Sequence, residues 1–331
     1  MEMGVFESPG QGWDEFAARY TDLIFYQSIW SRVLEKGLGG QPLYFYLKEG
    51  DQLVAGLPGV LLKFGILRIF YSSIPYGGLV GEPSYFSAFL ELLDREFRRR
   101  RIAQVRIVAS PFSEPYTPSS YRSVSSKCTL LNLKRFDQER IWDSYRGDVR
   151  RAVRKAQKNG VSVKGTGTLQ EAKAFYRLYH SSMERKGAPA KYPPPWFSAI
   201  YEVLIRQGRA DILFALKEGE PIAGVVLVRS STSYHYLHNG SEEAHFEDRP
   251  NDLIVDHIIR EGVREGKEVL DFMGSDPADL SLIRFKEKWG SQSIDLDTSI
   301  KDISPLKSRI WEVAKKVAAS KWGARALSWI R

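Results

Sequence analysis

The sequence has a single cysteine, Cys128, in 331 residues. One thiol excludes an internal disulfide and any cysteine-built metal centre, and it suits a reducing compartment, so a cytoplasmic setting is expected. There is no run of about 18 apolar residues, so no membrane-spanning helix is expected. Residues 1–16 contain acids and no apolar stretch, and no secretory signal is expected there. No Walker-type loop is present, no Gly-x-Gly-x-x-Gly follows a strand, and no Gly-x-Ser-x-Gly elbow occurs. Histidines number five and do not form a ligand set. His235 and His238 lie three apart on an expected strand and so should face opposite sides. His180 and His257 fall on helices and His245 in a loop. No metal site is expected, and hydrolytic or metal-dependent chemistry has little support.

Acid is scarce in one place only. Residues 306–331 hold Lys307, Arg309, Lys315, Lys316, Lys321, Arg325 and Arg331 against Glu312, a net +6 of the chain's +8. The remaining 305 residues are close to neutral. Leu306, Ile310, Val313, Val317, Ala324 and Leu327 follow helical spacing, joined by Trp311, Trp322 and Trp329, with lysine and arginine opposite. Such a helix suits an anionic membrane surface, phosphates of a nucleic acid, or docking on the protein body.

The rest is ordinary globular composition, 43% apolar and 27% charged, with length for about two domains. Periodicity gives helices over 13–36 and 83–101, a hairpin over 44–63, and strands at 66–72 and 105–108. The second half repeats that order. Helices fall at 169–186 and 195–207, a hairpin at 212–229, a strand at 234–238, a helix at 251–265 and a strand at 269–273. Both hairpins turn on Lys-Glu-Gly. The reading is two copies of one α/β (α+β) unit with mixed sheets, spanning 1–145 and 146–302, and a basic amphipathic helix at 303–331.

Three places carry candidate chemistry. Between the halves, a helix over 141–159 places Arg146, Arg150, Arg154 and Lys158 on one face. Few acids lie at matching spacing, so the face is either a phosphate site or a solvated surface. At 241–250 a strand runs into a helix through Glu242-Glu243-Ala244-His245-Phe246-Glu247-Asp248-Arg249-Pro250. A glycine-rich turn there would offer backbone amides to a pyrophosphate; this one has no glycine and four carboxylates. Finally, Asp271-Phe272-Met273-Gly274-Ser275-Asp276 reads as a strand ending in a polar turn. A short helix follows and delivers Lys286 within Phe285-Lys286-Glu287-Lys288-Trp289-Gly290. A cation at a strand end suits a developing negative charge in acyl transfer, though a lysine on a short helix is also commonly an ordinary surface residue.

These segments together resemble the FemAB-type transferases, GNAT-like enzymes that add amino acids to peptidoglycan precursors. The resemblance rests on Arg150-Arg151-Ala152-Val153-Arg154-Lys155 through Gly160-Val161, Phe175-Tyr176-Arg177-Leu178-Tyr179, Arg185-Lys186-Gly187, Tyr236-Leu237-His238-Asn239-Gly240, Pro250-Asn251-Asp252-Leu253 and Asp271 through Gly290. In the first half Gln27-Ser28-Ile29-Trp30 and Pro75-Tyr76-Gly77-Gly78 add to it. It covers most of residues 20–295. It implies two tandem GNAT-like domains, an aminoacyl-tRNA donor rather than acyl-CoA, no resident cofactor, and a peptidoglycan precursor or related envelope lipid as acceptor. It implies that Lys286, with Phe285 beside it, stabilises the transfer step without a protein nucleophile. Trp30, Tyr76, Tyr236, Arg185, Asp271 and Ser275 are expected on the substrate side, and Arg150, Arg154 and Lys158 on tRNA phosphates. Ser110-Pro111 stands where family members that bind a nucleotide-linked precursor carry an acid, so the acceptor stays open. The alternatives are an acyl-thioester enzyme acting on a sugar or lipid of the envelope, and a non-catalytic phosphate-binding scaffold. Peripheral contact of residues 306–331 with the inner face of the membrane is a further expectation.

Overall fold

The computed structural model of the protein describes residues 1–8, 12–113, 116, 118 and 120–319, with the backbone alone at 316–319. The chain divides into two compact units, residues 1–125 with 296–331, and residues 126–295.

The first unit begins with β1 (Glu2–Phe6), α1 (Trp13–Ala18), α2 (Ser28–Leu38), β2 (Gln41–Glu49), β3 (Gln52–Phe64), β4 (Leu67–Tyr71), β5 (Val80–Gly81), α3 (Phe86–Arg99) and β6 (Gln104–Val108). The helix expected over 13–36 is two helices, because Leu23 and Gln27 take extended backbone on either side of a single 3-10 turn. Helix α3 turns Phe86, Phe89, Leu90, Leu93 and Phe97 inward. Phe97 packs edge-on against Phe45 of β2, ring centres 5.1 Å apart. Burying an aromatic ring of this kind contributes about 1.5–3 kcal/mol.

The second unit contains β7 (Arg122–Asn132), α4 (Ile141–Ser144), α5 (Gly147–Lys158), β8 (Ser162–Gly165), α6 (Leu169–Arg185), α7 (Pro194–Val203), β9 (Ala210–Lys217), β10 (Glu220–Arg229), β11 (Ser233–Ser241), α8 (Pro250–Arg264), β12 (Val269–Ser275) and α9 (Leu280–Glu287). Of β7, the stretch from Ser126 onward belongs to this unit. The β9–β10 turn uses Glu218 and Gly219, both at positive φ, the geometry a two-residue hairpin loop needs to match strand twist. Thr168 and Glu171 close a reciprocal capping box on α6, which satisfies two otherwise unpaired amides. The helix expected over 141–159 breaks at Tyr145, whose side chain is buried and whose backbone is extended. Arg146 therefore leaves the helical row and pairs with Asp148 at 3.2 Å. The chain ends with β13 (Gln292–Asp302) and α10 (Pro305–Ala319).

The strand sets of the two units match one for one. In one, the antiparallel run β1, β2, β3, β4 is followed by β6 parallel to β4. In the other, the antiparallel run β8, β9, β10, β11 is followed by β12 parallel to β11. Each closes with an antiparallel strand, but the chain exchanges them. β13, which follows α9, pairs with β6, and β7, which follows the first unit's β6 in sequence, pairs with β12. Residues 126–145 consequently pack with the second unit and 296–302 with the first, unlike the expected division at 145 and 302.

Gly240 of β11 lies against α6. A methyl group built there would fall 2.4 Å from the backbone of both Leu178 and Tyr179. Backbone cannot yield as a side-chain tip can. Gly240→Ala is expected to cost about 2–3 kcal/mol, read as a lower denaturant midpoint.

Candidate functional site

Strands β11 and β12 pair only over Ser233–His235 and Val269–Asp271. Both then bulge at the same level. In β11, His238 faces Val226 and Tyr236 faces Leu227, which leaves Leu237 as the extra residue. In β12 the register slips between Asp271 and Gly274, and Met273 takes φ 63°. A bulge re-aims side chains and ends pairing. Here the strands part into a cavity of about 80 Å³ lined by Tyr236, Leu237, Asn239, Phe272, Met273, Gly274, Leu282, Phe285 and Lys286.

The β12 bulge has a visible cause. The Asp271 carboxylate turns back to accept the Met273 backbone N–H at 2.7 Å, and this holds the left-handed residue. Its other oxygen accepts from His235 Nδ1 at 3.0 Å. His235 Nε2 meets Ser230 Oγ at 2.9 Å, and the Cys128 thiol reaches Asp271 at 3.5 Å. Asp271, His235 and Cys128 have no solvent exposure. A carboxylate so buried needs every partner it has.

Helix α9 brings in Lys286. Asp279 caps its first turn by accepting from Leu282 N, and Arg135 fixes its end by donating to the carbonyls of Trp289 and Gly290. The ammonium is nearly buried, 4% exposed. It donates to Met273 O at 2.9 Å and Ser275 Oγ at 2.7 Å, and reaches Gly274 O only at 3.4 Å. Burial pushes its pKa down to about 8, against which the Asp271 carboxylate foremost holds it up. The third N–H is on the longest of these contacts, and the residue lines the cavity. Phe285 forms part of the wall, with Lys288 Nζ 4.4 Å above its ring; Lys288 also pairs with Asp252 on the first turn of α8. The Tyr236 hydroxyl is buried and has no hydrogen-bond partner among the described residues. Burial first, and then the Asp252 carboxylate, raise its pKa, so it stays protonated.

Of the expected site residues, the fold thus gathers Lys286, Phe285 and Tyr236 on one cavity, with Asp271 and Ser275 directly behind its wall. Arg185 does not line it: it donates to Ser241 O at 3.1 Å and lies over Phe246 at 4.6 Å, tying down the 242–249 loop. Two acids of that loop are held by lysines, Glu247 by Lys155 and Asp248 by Lys217, each at 2.8 Å. Arg150, Arg154 and Lys158 lie along α5 with no carboxylate partner among the described residues, and Arg154 covers the Trp142 ring at 5.1 Å. Trp30 and Tyr76 belong to the first unit and are fully buried. Trp30 donates to Ile74 O at 2.7 Å. It so fixes the loop after β4, which fills the position equivalent to the second unit's cavity: Ser72 Oγ accepts from Val108 N and Gly77 N donates to Val108 O.

His235 and His238 do not face opposite sides. Val228 opposes one and Val226 the other, so the intervening bulge turns both to the same face. His238 Nε2 accepts from Trp196 Nε1 at 2.9 Å, and burial lowers its pKa to about 3. Sequence reading does not find the His235–Asp271–Cys128 group, since nothing local marks three residues from three strands as neighbours. Among the described residues no cluster of three or more His, Cys, Asp or Glu is placed to hold a metal. None of their helices is long and apolar enough to cross a membrane.

Residues 143–287 match the family model described as an acetyltransferase (GNAT) domain. No curated protein matches the chain in sequence. Among solved structures, FemX is similar at 15% identity, covering 90% of this chain and 97% of its own, with a TM-score of 0.65. A tandem GNAT protein from the clavulanic acid biosynthesis pathway is 9% identical, covering 92% and 99%, with a TM-score of 0.61. The C-terminal domain of a putative lysylphosphatidylglycerol synthetase from Agrobacterium fabrum is 12% identical, covering 93% and 98%, with a TM-score of 0.57. The chain has the tandem GNAT acyltransferase fold, and the likeness to a FemAB-type protein read from its sequence is present in its structure.

Proposed function

We propose that this chain, built on the GNAT acyltransferase fold, transfers an aminoacyl group from the ester of an aminoacyl-tRNA to an amine of a cell-wall peptide precursor. The observation that carries the reading is the buried Lys286 ammonium in the wall of the β11/β12 cavity, beside carbonyls that the bulge has aimed at it. The acceptor nitrogen attacks the ester carbonyl, a C–N bond forms, and charge gathers on the carbonyl oxygen. Lys286 meets that charge with its loosely held N–H. The C–O bond to the ribose then breaks, and the proton shed by the amine goes to the ribose oxygen. Lys286 is unchanged at the end, and no protein nucleophile is needed. Phe285 and Phe272 keep water from the ester.

The donor reading is supported by the 242–249 loop, which offers acids in place of a glycine-rich amide cradle. The face of Arg150, Arg154 and Lys158, with no carboxylate partner among the described residues, suits the phosphates of the tRNA. The name of one structural neighbour, a putative lysylphosphatidylglycerol synthetase, joins a lysyl group to phosphatidylglycerol. A second reading, an acyl thioester donor acting on a sugar or lipid, is favoured by the acetyltransferase description of the matching family model. The assay that separates them incubates the protein with charged tRNAs and with acyl-CoAs, each with lipid-linked and soluble muropeptide precursors, read by mass spectrometry. The expected result is a mass gain equal to one amino-acid residue, dependent on tRNA. Gain from acyl-CoA alone would replace the first reading by the second.

A further inference from the structure

Helix α10 has two faces with different fates. One docks on the first unit. Ser308 Oγ donates to Ala103 O at 2.8 Å, Trp311 stacks on Phe64 with ring centres 4.7 Å apart, and Glu312 accepts from Gln104 at 3.1 Å. The other face is Leu306, Ile310 and Val313, at i, i+4 and i+7, exposed by 71%, 47% and 60%. Phe64, under Trp311, begins the β3–β4 turn, and at the tip of that turn Ile66 is 76% exposed. These residues are a large part of the big apolar side chains that the described residues leave in solvent. Scattered apolar residues are normal on a surface; a stripe at i, i+4 and i+7 along one helix face is not scattered and suits a docking face.

We propose that the α10 stripe and the Phe64–Ile66 hairpin tip together seat the first unit on an anionic lipid bilayer. Charge chooses the occupant. Lys63, Arg68 and Arg309 are exposed around the apolar residues, and residues 306–331 carry a net +6. A second copy of the chain would bring like charge onto like charge, which opposes association. Anionic headgroups would neutralise it. The sequence beyond Ala319 lies outside the described residues, but it continues with Lys321, Trp322, Arg325, Trp329 and Arg331, the basic and aromatic types that favour the membrane interface. The docked face explains why α10 is held to the body without being hidden by it. None of this depends on the acyl-transfer reading.

The test is co-sedimentation of the full chain with vesicles of phosphatidylcholine alone and of phosphatidylcholine with phosphatidylglycerol. Ile66→Asp and Ile310→Asp alter exposed positions, so folding is expected to survive, and unchanged melting temperatures check that. The wild-type chain should bind the anionic vesicles and the double variant about tenfold less or weaker. Raising salt should weaken binding, since exposed charges are screened. Equal sedimentation of wild type and double variant would overturn the proposal. So would binding to neither vesicle, or a concentration-dependent dimer in solution that the two substitutions dissociate.

Discussion

Lys286→Met is expected to lower turnover by about 10²–10³, the usual loss when a donor to a developing oxyanion is removed. Its pH signature is more specific than its size. The folded-state pKa of Lys286 is about 8 against 10.5 for the free side chain. Activity that needs the ammonium should fall as pH rises through about 8. Stability should move the other way. Between pH 8 and 10.5 the unfolded chain binds the proton that the folded chain has released, so the unfolding free energy rises with pH across that window. The cost of burying the charge is fully present below pH 8, and about 3 kcal/mol of it is relieved by the top of the window. Subtracting the stability curve of Lys286→Met from that of the wild type isolates this group from other lysines. A flat difference curve, or a variant whose turnover stays within a few-fold of wild type, would remove Lys286 from the mechanism.

The helices and hairpins within each unit are legible in the sequence because their signals are local. Phe86, Phe89, Leu90, Leu93 and Phe97 repeat at the helical period, and the two Lys-Glu-Gly turns mark hairpins. Strand β13 also carries its signal, with Ile294, Leu296, Thr298 and Ile300 alternating with polar residues. Strand β7 does not: Ser123, Ser125, Ser126 and Lys127 give no period, and its place is fixed by pairing with β12. Because these two strands are exchanged, the division of the chain is a tertiary fact that composition does not record. Lys286 is legible as a cation next to a strand end. What holds it is not, since the bulge at Met273 exists only because the Asp271 carboxylate folds back on it. The depth of burial of Trp30 and Tyr76 is likewise set by packing, here around the loop after β4.

That dependence makes Asp271 the second large effect. Asp271→Ala takes the partner from the Met273 N–H and from His235 Nδ1 in a dry interior, and at about 1–3 kcal/mol for each buried group left unsatisfied this costs about 3–5 kcal/mol in all. For a protein of this size that is a fall in melting temperature on the order of 10 °C. Asp271→Asn asks a finer question. Its carbonyl oxygen can still accept from Met273 N, so the bulge can survive. Its amide meets His235 Nδ1, which must then accept, and the ring proton moves to Nε2, where Ser230 Oγ receives it. The expected cost is only about 1 kcal/mol. The charge, however, is gone. Asp271 is the foremost influence holding the Lys286 pKa up against burial, so without it the ammonium gives up its proton at lower pH. The alkaline limb of the pH–rate profile should shift toward acid in Asp271→Asn, with turnover near wild type well below the limb. A purely structural aspartate would lower activity at every pH in proportion to folded protein and leave the limb in place. An unmoved limb would therefore separate Asp271 from the reaction centre, while a shifted one would tie the buried carboxylate, the bulge and the lysine into one charge-balanced unit.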